Sequence, residues 1–315
     1  MDKRIKHFMY CPWTGLGLYN GFRGNRWLRN RIKVFKQFVV PSLQAQTNKD
    51  FTLWCSWRYE EKYNPYVKEL LEYMQGIKEF KTVFTYSGVC FWDDKYDKVE
   101  ARNRLLTALH GSMGELSDAI GEVDEVLMTI QPSDDCYDSE AVAVVQHALK
   151  GDLQAVGFKH GYIMDYTTRT VCEYNPTTNP PFYTIKFPKK TFIDPLAHAA
   201  YTSLKHDVPG YEAGIPLPSH EWVGDCLNYG VIQERGFLVG THNENISTVF
   251  NHPFRGATVP QETLKRFGIY DVPSIVIKTS IRRAVLRRLP FKVQRKLRYW
   301  IGERFWQQIY NFLRS

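Results

Sequence analysis

Apolar and polar positions in the first half of the chain follow two alternating rhythms. Short runs that are mostly apolar without a break, at 7–11 (HFMYC), 51–57 (FTLWCSW), 81–86 (KTVFTY) and 125–130 (EVLMTI), fit buried strands. Between them the spacing is helical. Residues 29–43 place Ile32, Phe35, Phe38 and Val39 on one side until Pro41 interrupts the pattern. Asn64-Pro65 opens a second helix carrying Val67, Leu70, Leu71 and Met74, and Gly76 reads as its stop. Residues 97–109 and 139–149 read as two more. Strands separated by helices in this way predict an α/β fold of Rossmann-like type, a mostly parallel sheet with helices on both faces. In such sheets ligands bind beyond the carboxyl ends of the strands.

The second half is less regular. Residues 154–174 predict a hairpin turning near 165–169, and 175–182 (NPTTNPPF) is rich in turn formers. A loop-rich stretch is expected to about residue 219, then a helical segment over 220–229 and a strand at 237–240. No internal repeat interrupts this, so the two halves read as one unit.

Composition excludes several classes. At 43% apolar and 15% aromatic, the 315 residues supply ample core and rule out wholesale disorder. No run reaches the roughly 18 to 20 apolar residues of a membrane span, and MDKRIKHFMYCPW lacks the apolar region of a secretory signal; the expectation is a cytoplasmic chain. The six cysteines form no C-x-x-C pair, which argues against a zinc ribbon and for reduced, buried thiols.

Chemistry concentrates at 125–138, EVLMTIQPSDDCYD, where a strand runs into a loop with adjacent carboxylates, Asp134 and Asp135. Adjacent carboxylates need a cation or hydrogen-bond donors to offset their repulsion. Mg²⁺ or Mn²⁺, held by such oxygens together with substrate phosphates, is one answer. Capping of the helix near Ser139 by Ser133 or Asp134 is the other.

Further motifs extend this segment. Ala101-Arg102-Asn103 opens a helix ahead of the acidic loop. Trp27-Leu28-Arg29-Asn30-Arg31, Phe35, Pro41-Ser42-Leu43, Gln46 and Phe51 precede it. Gly240-Thr241-His242-Asn243-Glu244-Asn245-Ile246-Ser247 stands near the other end. In this order the motifs resemble glycosyltransferase family 2, and within it the rhamnosyltransferase branch, over about residues 5–255. The resemblance implies a GT-A fold over 1–277, with 1–150 as the nucleotide-sugar-binding half and 151–277 completing the site for the acceptor. It further implies transfer of a sugar from a nucleotide-diphosphate donor to a glycan or lipid-linked acceptor, with inversion, assisted by Mn²⁺ or Mg²⁺.

By the same resemblance Asp135 is the first candidate metal ligand, with Asp134 beside it and His242 as a further metal or phosphate contact. Arg102 would meet the nucleotide or its phosphates. Glu221 and Asp225, one helical turn apart in SHEWVGD, are the candidate general bases. Three departures from the family pattern stand out: Pro132 replaces the first acid of the acidic motif, Cys11-Pro12-Trp13 replaces Thr-Arg-Phe, and Ser56-Trp57-Arg58 lacks an Asp. Nucleobase recognition would then fall to stacking on Trp57 or to Arg58. A degenerate transferase acting as a scaffold, and a nucleotidyltransferase using the same loop, are the competing readings.

Charge adds one more feature. The net charge is +8, yet residues 278–315 hold eleven basic groups and one acid, a net of +10, which leaves −2 for the rest. This tail places Leu297, Trp300, Ile301, Phe305, Ile309 and Phe312 at helical steps among arginines. A basic amphipathic helix of this kind suits an anionic membrane surface, and makes the chain a candidate peripheral protein of the inner face. Docking on the catalytic domain or on a second subunit are the alternatives. Its density of Trp, Phe, Ile and Leu argues against nucleic acid.

Overall fold

The computed structural model describes residues 3–14, 24–88, 98–202, 220–242 and 255–271, without the side chains of residues 98, 99, 101 and 102. The basic tail at 278–315 lies outside the described residues, as do Asn243, Asn245 and Ser247.

The parallel part of the sheet is built from β1 (Ile5–Pro12), β2 (Thr52–Arg58), β3 (Lys81–Gly88) and β4 (Glu125–Ile130), ordered β4-β1-β2-β3. Phe8, Met9, Tyr10 and Cys11 are at most 1% exposed, so β1 is covered on both faces, as its unbroken apolar run requires. The intervening helices are α1 (Asn25–Val34), α2 (Val40–Gln44), α3 (Pro65–Gln75), α4 (Lys98–Ile120) and, after the two-residue β5 (Cys136–Tyr137), α5 (Ala141–Ala148). Trp27, Leu28, Ile32, Val67, Leu70, Met74, Val142 and Val145 fill one face of the sheet. Leu105, Leu109, Met113 and Leu116 of α4 pack with Phe8, Tyr10 and Trp54 in a separate core. The expected two-faced α/β arrangement is therefore present.

Local chemistry sets the boundaries. Asn64 accepts a hydrogen bond from the Tyr66 N–H at 3.0 Å and Pro65 occupies the first turn, so α3 begins where the sequence places it. Pro41 does not end the first helix. A π-helical segment, Phe35–Val39, joins α1 to α2, and Pro41 falls in the first turn of α2, where its missing N–H costs little. Helix α4 also runs past the expected end at Leu109, through Gly111 and Gly114. Gly111 is there for close packing, since a Cβ would stand 2.6 Å from Ser87 Oγ.

The second half holds β6 (Ala155–Asp165), β7 (Val171–Tyr174), β8 (Tyr183–Pro188), α6 (Lys189–Ile193), α7 (Pro195–Tyr201), α8 (Val223–Cys226), β9 (Tyr229–Thr241) and β10 (Arg255–Thr258). The hairpin is β6-β7. Part of the expected loop is ordered: β8 inserts antiparallel between β4 and β6, and α7 starts at Asp194, which accepts from the N–H groups of Leu196 and Ala197. The expected helix over 220–229 shrinks to α8, because Tyr229 already opens the 13-residue β9 parallel to β6. The five described cysteines are buried and free. No described helix is long and apolar enough to cross a membrane.

Candidate functional site

The acidic loop leaves the carboxyl end of β4 and is fixed at both ends. The Gln131 N–H donates to the Tyr10 carbonyl at 2.8 Å, while Gln131 Nε2 donates to the carbonyls of Pro132 and Asp135 at 2.8 and 2.9 Å. Tyr137 closes the turn by donating its hydroxyl to the Ile130 carbonyl at 2.6 Å. Cys136 and Tyr137 then pair with Leu238 and Phe237, so β9 lies directly against the loop. Contact is tight at Gly240: a Cβ there would lie 2.3 Å from the Asp134 carbonyl oxygen and from the Tyr166 ring.

The two carboxylates meet different surroundings. Asp135 is 8% exposed and its Oδ1 accepts the Gly240 N–H at 2.8 Å. Burial, then the neighbouring Asp134, pushes its carboxyl well above the usual range and favours the protonated form. Asp134 instead forms an ion pair through Oδ2 with Arg31 Nη1 and lies 3.2 Å from His242 Nε2. Burial alone would raise Asp134 too, but the Arg31 charge and the His242 contact outweigh it and hold the carboxyl at about 2. The pair thus carries one firmly ionised carboxylate, Asp134. The resemblance ranks Asp135 first as a metal ligand; its Oδ1 accepts a backbone N–H, and the neighbouring Asp134 faces His242.

Packing holds this set rigid. The Tyr166 ring stacks on Phe38 at 3.9 Å and lies parallel to the His242 ring at 6.4 Å, while its hydroxyl donates to the Asp134 carbonyl at 2.7 Å. The Arg31 guanidinium lies 5.7 Å from the centroid of the Trp27 ring. Arg31 was not among the expected site residues, although it stands within the WLRNR run. Its spacing, one helical turn after Trp27, was the only signal in the sequence.

The same end of the sheet carries hydrogen-bond donors without acceptors. Among the described residues, Arg31 Nε and the indole N–H groups of Trp13, Trp27 and Trp57 are buried and have no partner. Unpaired buried donors each cost about 1–3 kcal/mol, a cost that acceptor oxygens would relieve. Asp134 and His242 are also spaced for a shared divalent cation, although Arg31 Nη1 sits on the same Asp134 oxygen. The 3.2 Å between Asp134 Oδ2 and His242 Nε2 is close to the ~3.0 Å separating neighbouring ligand atoms that each lie ~2.1 Å from one small cation. Among the described residues no group of three His, Cys, Asp or Glu side chains forms a cation cage. Further ligands would have to be phosphate oxygens or water.

Comparison with known proteins decides the family. A family model described as "Putative rhamnosyl transferase" matches residues 22–184, just over half of the chain. The chain belongs to this family. It is a sugar transferase of the GT-A-like type, and α1, the acidic loop and the β6-β7 hairpin all fall within the matched span of the rhamnosyl transferase. No curated protein matches the chain. Solved structures are similar only at a distance. A putative glucose-1-phosphate thymidylyltransferase from Bacillus anthracis in complex with a sucrose is 12% identical with a TM-score of 0.35, over 74% of this chain and 88% of that one. HddC from Yersinia pseudotuberculosis is 9% identical at 0.35, over 75% and 92%. A putative nucleotide-diphospho-sugar transferase from Desulfovibrio desulfuricans G20 is 11% identical at 0.31, over 74% and 80%.

The remaining expected site residues of this family member are spread more widely. Trp57 is fully buried and stacks on Trp13 at 4.8 Å, so it packs in the core and presents no open face to a nucleobase. Arg58 reaches back to Glu61, with Nη2 to Oε1 at 2.8 Å. Arg102 falls in α4, but its side chain is outside the described residues. Glu221 and Asp225 are exposed, and no hydrogen bond or ion pair among the described residues ties either to Asp134, Asp135 or His242. Glu221 precedes α8 instead of sharing a helical face with Asp225, because that helix is only four residues long.

Proposed function

We propose that this rhamnosyl transferase family member moves a hexosyl group, rhamnose being the family's own candidate, from a nucleoside-diphosphate donor to a glycan or lipid-linked acceptor with inversion. The observation that carries the reading is the ionised Asp134, facing His242 at the carboxyl end of the parallel strands beside buried donors that lack acceptors. Asp134 and His242 would hold Mn²⁺ or Mg²⁺. The cation supplies stabilisation of the charge that builds on the diphosphate as the sugar departs.

The chain's own residues do the rest. Arg31 and Arg102 offer fixed positive charge to the phosphates, and the Trp13 and Trp27 indole N–H groups offer neutral donors. Tyr166, stacked on Phe38, lies parallel to the His242 ring and donates its hydroxyl to the Asp134 carbonyl, which steadies the loop that carries the carboxylate. Glu221 or Asp225, both exposed, is the proposed acceptor of the hydroxyl proton. Asp134→Asn tests the assignment. Transfer by the fraction that remains folded should fall by at least about 100-fold. Full turnover after chelation of divalent cations would retire the metal, and absence of binding to UDP, GDP and dTDP with Mn²⁺ in calorimetry would favour a scaffold instead.

A further inference from the structure

Arg31 occupies the place a cation would need. Its side chain is 6% exposed and its Nη1 sits on Asp134 Oδ2, the same oxygen that faces His242 Nε2. A divalent cation bound between Asp134 and His242 would stand against the guanidinium, and like charges at that range repel strongly in a buried site. One of the two must give way. Arg31 cannot simply withdraw, because an unpaired buried guanidinium is costly.

Among the described residues Arg31 Nε and the Trp13 and Trp27 indole N–H groups are donors without acceptors. Arginine's planar fork matches phosphate oxygens, so a diphosphate arriving here would give Arg31 acceptors as it gives up Asp134. We propose that Arg31 is a positioning residue, a resident counter-cation that holds Asp134 until a divalent cation and the donor's diphosphate arrive together. This rests on the metal reading above. Metal and nucleotide would then each tighten the other's binding by the same factor, and the metal alone would bind poorly.

Isothermal titration of the full-length chain with Mn²⁺ tests this, with and without UDP, GDP or dTDP, on the wild type, Arg31→Gln and Arg31→Lys. Wild type should bind Mn²⁺ at least about tenfold more tightly with the nucleotide it accepts. Arg31→Gln, with the competing charge gone, should bind Mn²⁺ alone at least about tenfold more tightly than wild type and lose most of the nucleotide's effect. Arg31→Lys keeps the charge and should resemble wild type with Mn²⁺ alone. A folded Arg31→Gln protein whose Mn²⁺ affinity is equal or weaker would overturn the proposal. If that variant does not fold, wild type decides: equal Mn²⁺ affinity with and without nucleotide overturns it as well. No Mn²⁺ binding under any condition removes the metal reading and this inference together, whereas normal binding indifferent to Arg31 removes the inference alone.

Discussion

Replacing Asp134 by Asn keeps the shape of the side chain and removes its charge, which leaves the Arg31 guanidinium, 6% exposed, without its anion. Stripping one partner from a buried ion pair costs about 3–5 kcal/mol. Titration gives a separate scale. Asp134 is held at about 2 against an ordinary 3.8, and at about 1.4 kcal/mol per unit this is on the order of 2 kcal/mol of folding stability. Because the folded value is the lower one, that stability is fully present above about pH 4 and is lost as the pH falls through about 2. Arg31→Met should cost a similar amount, since Asp134 then loses its buried counter-charge. In the double variant neither charge remains, so its loss should fall short of the sum of the single losses by about 2 kcal/mol. Urea unfolding at pH 7 of wild type, both single variants and the double variant measures all four corners. Single losses that add to the double loss within about 0.5 kcal/mol would refute the pairing described here.

Asp135→Asn should behave differently, leaving stability at pH 7 unchanged or slightly raised. The carboxyl already favours its neutral form, and the Asn oxygen still accepts the Gly240 N–H; a loss above about 2 kcal/mol in the same unfolding assay would contradict this. Gly240→Ala forces a methyl against the Asp134 carbonyl and the Tyr166 ring, so a cost of about 1–3 kcal/mol and a marked loss of transfer are expected, and near-normal values of both would show that β9 can shift. Truncation after Ser274 should abolish salt-sensitive binding to vesicles containing anionic lipid. Unchanged association at low salt would end the membrane reading of the tail.

Much of the fold was legible because burial on both faces writes itself into sequence. The runs at β1, β2 and β4 are mostly apolar and buried, β3 is a half-buried edge strand marked by its β-formers, and each strand lies within two residues of its expected bounds. Helix α3 was legible for a second reason, the cap chemistry of Asn64-Pro65 and the stop at Gly76. What escaped notice depended on neighbours distant in sequence. Strand β8 (YTIKFP) is short, ends in proline and is a strand because β4 and β6 receive it from either side. Helix α4 was expected to end at Leu109, whereas it runs on through Gly111, which answers the approach of Ser87 from β3. At the site, the DD pair was visible, but its two members are distinguished only by partners more than 100 residues away, Gly240 and Arg31. Arg31 looked like one basic residue among several in WLRNR; burial sets it apart, and burial is not local information.

The π-helical segment between α1 and α2 sets the phase of a two-handed grip. Upstream of it Arg31 holds Asp134, and downstream of it Gln46 holds the far end of the same loop, with Nε2 donating to the Asp138 carbonyl at 2.7 Å and Oε1 accepting the Val142 N–H at 3.1 Å. Phe38, inside the segment, meets Tyr166 between the two grips. Removing one residue from Phe35–Val39 would turn one half of the helix by about 100° relative to the other, and only one hand could then reach the loop. The widened turn therefore works as a fixed angular spacer. Insertions and deletions that a solvent-facing helix would absorb should be rejected at this place, and helical regularity is what the chain gives up to keep both ends of its acidic loop in register.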